Sequence, residues 1–185
     1  RRRQRQMCIR DRYYMPVLEI KLLPDPILRK KASPLEKVSE EVKTILNDMA
    51  ETMYNAPGIG LAGNQVGILK RLVVMDCSTD EEDPNLIKMI NPEIINSSDE
   101  KEELEEGCLS IPDHKSIVKR PAKVKVKYLN IDGIEKILDA EGLLAACVQH
   151  EIDHLNGILF VDHISRLKKD MILRKVKKQL RENEK

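Results

Sequence analysis

The stretch QHEIDHLNG, Gln149 to Gly157, sets two histidines four residues apart, with Glu151 directly after His150. On a helix, residues i and i+4 lie one turn apart on one face, so the imidazoles of His150 and His154 can both reach one ion. Leu143, Leu144, Cys147, Val148, Ile152 and Leu155 recur at three- and four-residue steps, and Gly157 is a natural stop, so the spacing predicts a helix over 141–156. Two histidines do not complete a catalytic metal site, which takes three protein ligands and one open position. The long protease signature with a third histidine meets Phe160 where that histidine would stand, and His163 falls three residues too late. The downstream glutamates, Glu182 and Glu184, lie in a charged tail. Cys108, in EEGCLSIP, is the better candidate, although a lone cysteine reads first as a small buried apolar residue.

A second segment, PGIGLAGNQVG from Pro57 to Gly67, interleaves four glycines with Ile59, Leu61, Ala62 and Val66 and carries the polar Gln65. Such a backbone is suited to coming close to something. It is not a phosphate loop: no G-K-[ST] follows, and the glycine spacing is not the dinucleotide fingerprint. The four cysteines, Cys8, Cys77, Cys108 and Cys147, form no C-x-x-C pair, and no apolar secretory leader is visible. Free thiols in a reducing, cytoplasmic compartment are the simpler reading.

Taken together, GIGLAGNQ, EGCLS and QHEIDH, in this order and at these intervals, resemble the three signature motifs of the peptide deformylases. The resemblance runs from about Met15 to the C-terminus and includes RPAKVKVKYLNIDG and the tail SRLKKDMILRKVKKQLRE. It implies hydrolysis of the formyl group from the N-terminal formyl-methionine of new polypeptides, with release of formate. Carried over by motif, Cys108, His150 and His154 are the metal ligands, Glu151 is the general acid/base, and Gln65 and the N–H of Leu109 stabilise the oxyanion. The ion is expected to be Fe(II) in the cell, with Zn(II), Ni(II) or Co(II) as substitutes, since a Cys-His-His set suits all four. The resemblance gives the methionine pocket as Ile59, Gly60, Leu104, Gly107, Leu143, Ala146 and Cys147, with the ring of His150 at one side. One departure is visible: Ala62-Gly63 stand where the family has two alanines, and a glycine is expected to loosen the backbone leading to Gln65.

The chemistry asks for these residue types. Water is a poor nucleophile at neutral pH, and a bound divalent metal lowers its pKa. A carboxylate beside that water can carry its proton to the leaving amine. Arg120 and Asp153 are expected to support the ligands, Arg120 pairing with Asp153 or Glu106. Two other readings remain open on the residues alone. One is a metalloprotease acting on internal bonds, against which the upstream position of Cys108 argues. The other is a non-catalytic ribosome- or RNA-binding module, which would have no use for Glu151 and Gln65.

The elements that must position these residues read as α+β: a single domain of antiparallel strands around a central metal-binding helix, plus a C-terminal helix. Asp25-Pro26 opens a short helix, and Ser39 caps a longer one to about Asn55 with Val42, Ile45, Leu46, Met49 and Met53 inward. Strands are expected at Leu72–Met75, Lys88–Asn91, Lys123–Leu129 and Glu135–Asp139, with a turn at Asp132-Gly133. Residues 1–14, with five arginines in the first eleven, read as a non-native or disordered extension ahead of Met15. Residues 15–165 read as the catalytic domain. Residues 166–185 hold nine Lys/Arg against three acids and read as a basic helix, with Ile164, Leu167, Met171, Val176 and Leu180 inward. By resemblance, that helix docks on the ribosome near the exit tunnel. With no apolar run of spanning length, the chain is expected to bind no membrane. It is also expected to be a monomer.

Overall fold

The structure is a computed structural model that describes residues 17–79 and 81–183. The expectations for residues 1–14, Cys8 included, lie outside the described residues.

Leu18 enters by donating its N–H to Thr52 Oγ1, and a short 3-10 turn at Pro26–Arg29 follows, capped by the Asp25 carboxylate on the N–H of Ile27. Helix α1 spans Glu40–Asn55, and Ser39 Oγ accepts the N–H of Val42, as a serine N-cap should. Strands β1 (Gly60–Ala62) and β2 (Leu72–Met75) come next, then β3 (Ile87–Ser97), β4 (Lys101–Cys108), β5 (Ile111–Pro121), β6 (Lys123–Leu129) and β7 (Glu135–Glu141). Helix α2 covers Gly142–Leu155 and helix α3 covers Arg166–Asn183. Five strands form one sheet in the order β1-β2-β3-β6-β7, each neighbour antiparallel, while β4 and β5 form a separate hairpin.

The central sheet is covered on both faces where its strands are uniformly apolar. Along β2, Val73 and Met75 join the cluster under α2, whereas Leu72 and Val74 join the cluster under α1. Side chains alternate across a strand, so a run with no polar residue needs a partner on each face. Strand β6 keeps the lysine–valine alternation expected of it: Val124 and Val126 face α2, while Lys123 and Lys125 pair with Glu141 and Asp139 of β7. A third apolar cluster, built on Leu28, Ile111, Val118, Phe160 and Val176, ties the β4–β5 hairpin to the C-terminal segment.

Two expectations need correction, and one hairpin has no signal in the sequence. Strand β3 continues past Asn91 to Ser97, because Pro92 sits at a register shift between Ile90 and Glu93 instead of ending the strand. The β4–β5 hairpin was not read from the sequence, since its mostly charged, exposed residues carry no apolar alternation. On α3, Val176 and Leu180 face inward as expected, but Leu167 and Met171 are 73% and 50% exposed, and Ile172 and Leu173 take their place on the inward face.

Candidate metal centre and cleft

Two elements converge to make the site. Helix α2 sets His150 and His154 one turn apart, both buried, with Nε2 atoms 3.1 Å from each other. Strand β4 ends at Cys108, whose Sγ lies 3.3 Å from His154 Nε2. The sulfur and the two ring nitrogens all fall within 4.8 Å of one another. Two facing imidazole nitrogens at contact distance in a buried site are unfavourable unless a shared cation or proton satisfies both lone pairs. A thiol and two imidazoles with converging donors fit one divalent ion, and leave a tetrahedral site open at its fourth position.

Two buried atoms here have no hydrogen-bond partner among the described residues: Glu151 Oε2 and His154 Nδ1. Burial pushes the Glu151 carboxyl up to about 7. Gly60 makes room for that carboxylate, because a Cβ there would collide with it and would come within 3.0 Å of Cys147 Sγ. For His150, burial favours the neutral ring, but the contacts with Cys108 and Glu106 outweigh it and hold the ring up at about 10. His154 is driven the opposite way, by burial and then by the neighbouring His150.

A chain of charges links His150 to Glu106, Arg120 and Asp153. His150 Nδ1 lies 3.0 Å from Glu106 Oε2, and Arg120 donates to both Glu106 oxygens at 2.5 and 3.0 Å. The same guanidinium donates to Asp153 Oδ2 at 2.7 Å, so Arg120 engages both of the carboxylates considered for it. Burial alone would raise the Glu106 carboxyl, but the His150 and Arg120 contacts outweigh it and bring it to about 2. Two further contacts bear on these groups and have no signature in the sequence. His163 Nε2 lies 2.7 Å from Asp153 Oδ2, and Ser110 Oγ accepts from Gln65 Nε2 at 3.2 Å. Neither has a local signal, since the partners lie 10 and 45 residues away.

Gln65 is fixed at both ends. Its Oε1 accepts the N–H of Ala62 at 2.9 Å, so its –NH2 faces Ser110 and, at 3.5 Å, Cys108 Sγ. Gly63 does not loosen this turn. A Cβ there would lie 2.6 Å from the Ile68 carbonyl oxygen and 2.8 Å from that of Lys70, so the glycine admits close backbone packing. Leu109 begins the tight turn between β4 and β5 and packs toward the α1 cluster.

A cleft of about 750 Å³ opens over these groups. Its lining includes every residue expected of the methionine pocket: Ile59, Gly60, Leu104, Gly107, Leu143, Ala146 and Cys147, with His150 beside them. Leu143, Ala146, Cys147 and His150 share one face of α2. Pro112 and His114 of the hairpin also line the cleft, and they were not anticipated.

A thiol and two imidazoles, a buried carboxyl with one oxygen unpartnered among the described residues, and an open cleft on an α+β fold define a mononuclear metal-dependent hydrolase. A sequence model of the polypeptide deformylases matches residues 17–170, and the chain belongs to that family. The peptide deformylase of Mesorhizobium japonicum is 52% identical over 164 residues, covering 89% of this chain and 93% of that protein. That of Rhizobium meliloti is 49% identical over 164 residues, covering 89% and 94%. The crystal structure of peptide deformylase from Ehrlichia chaffeensis superposes with a TM-score of 0.87 at 41% identity, covering 91% of this chain and 99% of that one. The activity is that of the family: a single metal ion serves the hydrolysis of the formyl group from the N-terminus of nascent peptides.

Proposed function

We propose that Cys108, His150 and His154 hold the ion, that Glu151 transfers the proton, and that Gln65 with the Leu109 N–H binds the developing oxyanion. The observation that carries this reading is the convergence of three ligand atoms within 4.8 Å, two of them from the helix that also carries a buried carboxylate oxygen, Glu151 Oε2, unpartnered among the described residues. When bound, the ion supplies Lewis acidity, lowering the pKa of water and polarising the formyl carbonyl. Glu151 accepts the proton of the attacking water and returns one to the amine nitrogen as the C–N bond breaks. The Gln65 –NH2 end donates to the formyl oxygen as it gains charge, and the Leu109 N–H donates beside it. The methionine side chain lies among Ile59, Leu104, Leu143, Ala146 and Cys147, against the backbone of Gly60 and Gly107. Arg120 and Asp153 hold the ligand-bearing strand and helix in register.

The ion is Fe(II) in the cell, and Zn(II), Ni(II) or Co(II) can take its place; the soft thiolate and two imidazoles support this set. The catalytic unit is residues 15–165, acting as a cytoplasmic monomer. No helix among the described residues is long and apolar enough to cross a membrane. The basic segment 166–185 docks on the ribosome, a reading its exposed Lys168, Arg174, Lys177 and Lys178 support.

The test is Glu151→Gln at saturating metal. Metal content should equal that of the parent while turnover of formyl-Met-Ala falls by about 10²–10⁴, the usual worth of a positioned acid/base. Activity within a few-fold of the parent would remove Glu151 from the mechanism.

A further inference from the structure

Two free thiols outside the proposed ligand set, Cys77 and Cys147, come together behind the cleft. Cys147 on α2 directs its sulfur at the carbonyl of Ile59, 3.6 Å away. That carbonyl also accepts the N–H of Asp76 at 2.9 Å. Cys77 is the next residue, two past the Met75 that pairs with Gly60. Both cysteines pack in the cluster under α2. The neighbouring Cys147 lowers the Cys77 thiol, whereas Cys77 and burial raise that of Cys147. Cys77 is half-buried and within reach of solvent, whereas Cys147 is buried and lines the cleft.

We propose that Cys77 and Cys147 are a modification site: a hydroperoxide joins them in a reversible disulfide that reshapes the cleft wall. The Cys77 thiolate attacks one peroxide oxygen, the O–O bond breaks, and the second oxygen leaves as water or an alcohol, giving a sulfenic acid. The Cys147 sulfur then attacks the Cys77 sulfur. The S–S bond forms, and the hydroxyl departs with the Cys147 proton as water. The two thiols lose two electrons and the hydroperoxide gains them. An S–S bond is about 2.05 Å long, so forming it draws the Cys147 and Cys77 side chains together beside Ile59. Ile59 and Cys147 are both cleft walls, so the bond changes the shape offered to a substrate side chain. The effect on turnover rests on reading this cleft as the methionine pocket; the bond itself does not.

The experiment uses the full chain loaded with Ni(II), treated with limiting hydrogen peroxide and then alkylated. Peptide mapping, metal content and turnover of formyl-Met-Ala are read from each sample. The expected result is a joined Cys77–Cys147 peptide lighter by two hydrogens, with metal retained and most turnover lost. Dithiothreitol should restore turnover, and Cys77→Ser and Cys77→Ala should both keep theirs at the same dose. Absence of the joined peptide, or equal loss of turnover and metal in both Cys77 variants, would overturn the site and put the oxidation at Cys108. A joined peptide with full turnover would overturn the effect on the cleft and leave deformylation standing.

Discussion

Gln65 offers only its –NH2 end to the cleft, because the Ala62 N–H occupies its carbonyl oxygen. Gln65→Leu removes the donor and keeps the volume, so kcat should fall by about 10²–10³ with metal content unchanged. Steady-state kinetics beside metal analysis checks this, and a change confined to KM would mean that Gln65 only binds the substrate. At Gly63 the outcome is structural. Gly63→Ala forces a methyl against two backbone carbonyls and should cost about 1–3 kcal/mol, read from urea unfolding. At this scale the candidate site was legible in the sequence wherever spacing encodes geometry. His150, Glu151 and His154 lie on one helical turn, and their chemistry follows from their types. Cys108 and Gln65 stood out through the glycines and acids around them. Ser110 and His163 were invisible, because a serine beside a strand end gives no sign that it will meet a glutamine from another element.

Among elements, α2 and the β4–β5 hairpin must be held together, and Arg120 is the fastening. It is buried between Glu106 of β4 and Asp153 of α2. Arg120→Ala leaves the buried Glu106 without its main counter-charge, a loss of about 3–5 kcal/mol. Metal retention during dialysis against a chelator should drop as well; full retention would mean that the pair only stabilises the fold. For α3, removal of the helix is a poor test of docking, because Ile172, Leu173, Val176 and Leu180 cover the same cluster against which Cys108 packs. Charge reversal on its exposed face is cleaner. Arg174→Glu with Lys178→Glu should weaken ribosome binding and flatten its salt dependence while leaving small-peptide turnover intact. Unchanged salt-sensitive binding would remove α3 from the docking surface. The helices were legible from caps and periodicity. The hairpin was not, since its strands owe their place to pairing with each other and to a few buried side chains, not to an apolar face of their own.

For the whole molecule, the C-terminal segment is tied back to the N-terminal turn by a charge cluster. Asp162 pairs with Arg29 and, at 2.6 Å, with Lys169, and accepts the N–H of Leu159 at 2.9 Å. Burial would raise its carboxyl, but these partners outweigh it and bring it to about 2, below the ordinary 3.8. A carboxyl lowered on folding stabilises the native state above its unfolded pKa, and that contribution fades as pH falls through its folded value. The Tm gap between the parent and Asp162→Asn should therefore be largest above about pH 4 and shrink toward about pH 2. A constant gap would show that the ionised form is not what matters.

The most direct test of the whole account is the choice of bond. Formate and free amine are measured with formyl-Met-Ala, acetyl-Met-Ala and an internal methionine peptide, on metal-loaded protein. The account predicts rapid formate release from the first and little hydrolysis of the other two. Cleavage of the internal peptide at a rate comparable to deformylation, or no formate at full metal occupancy, would contradict it.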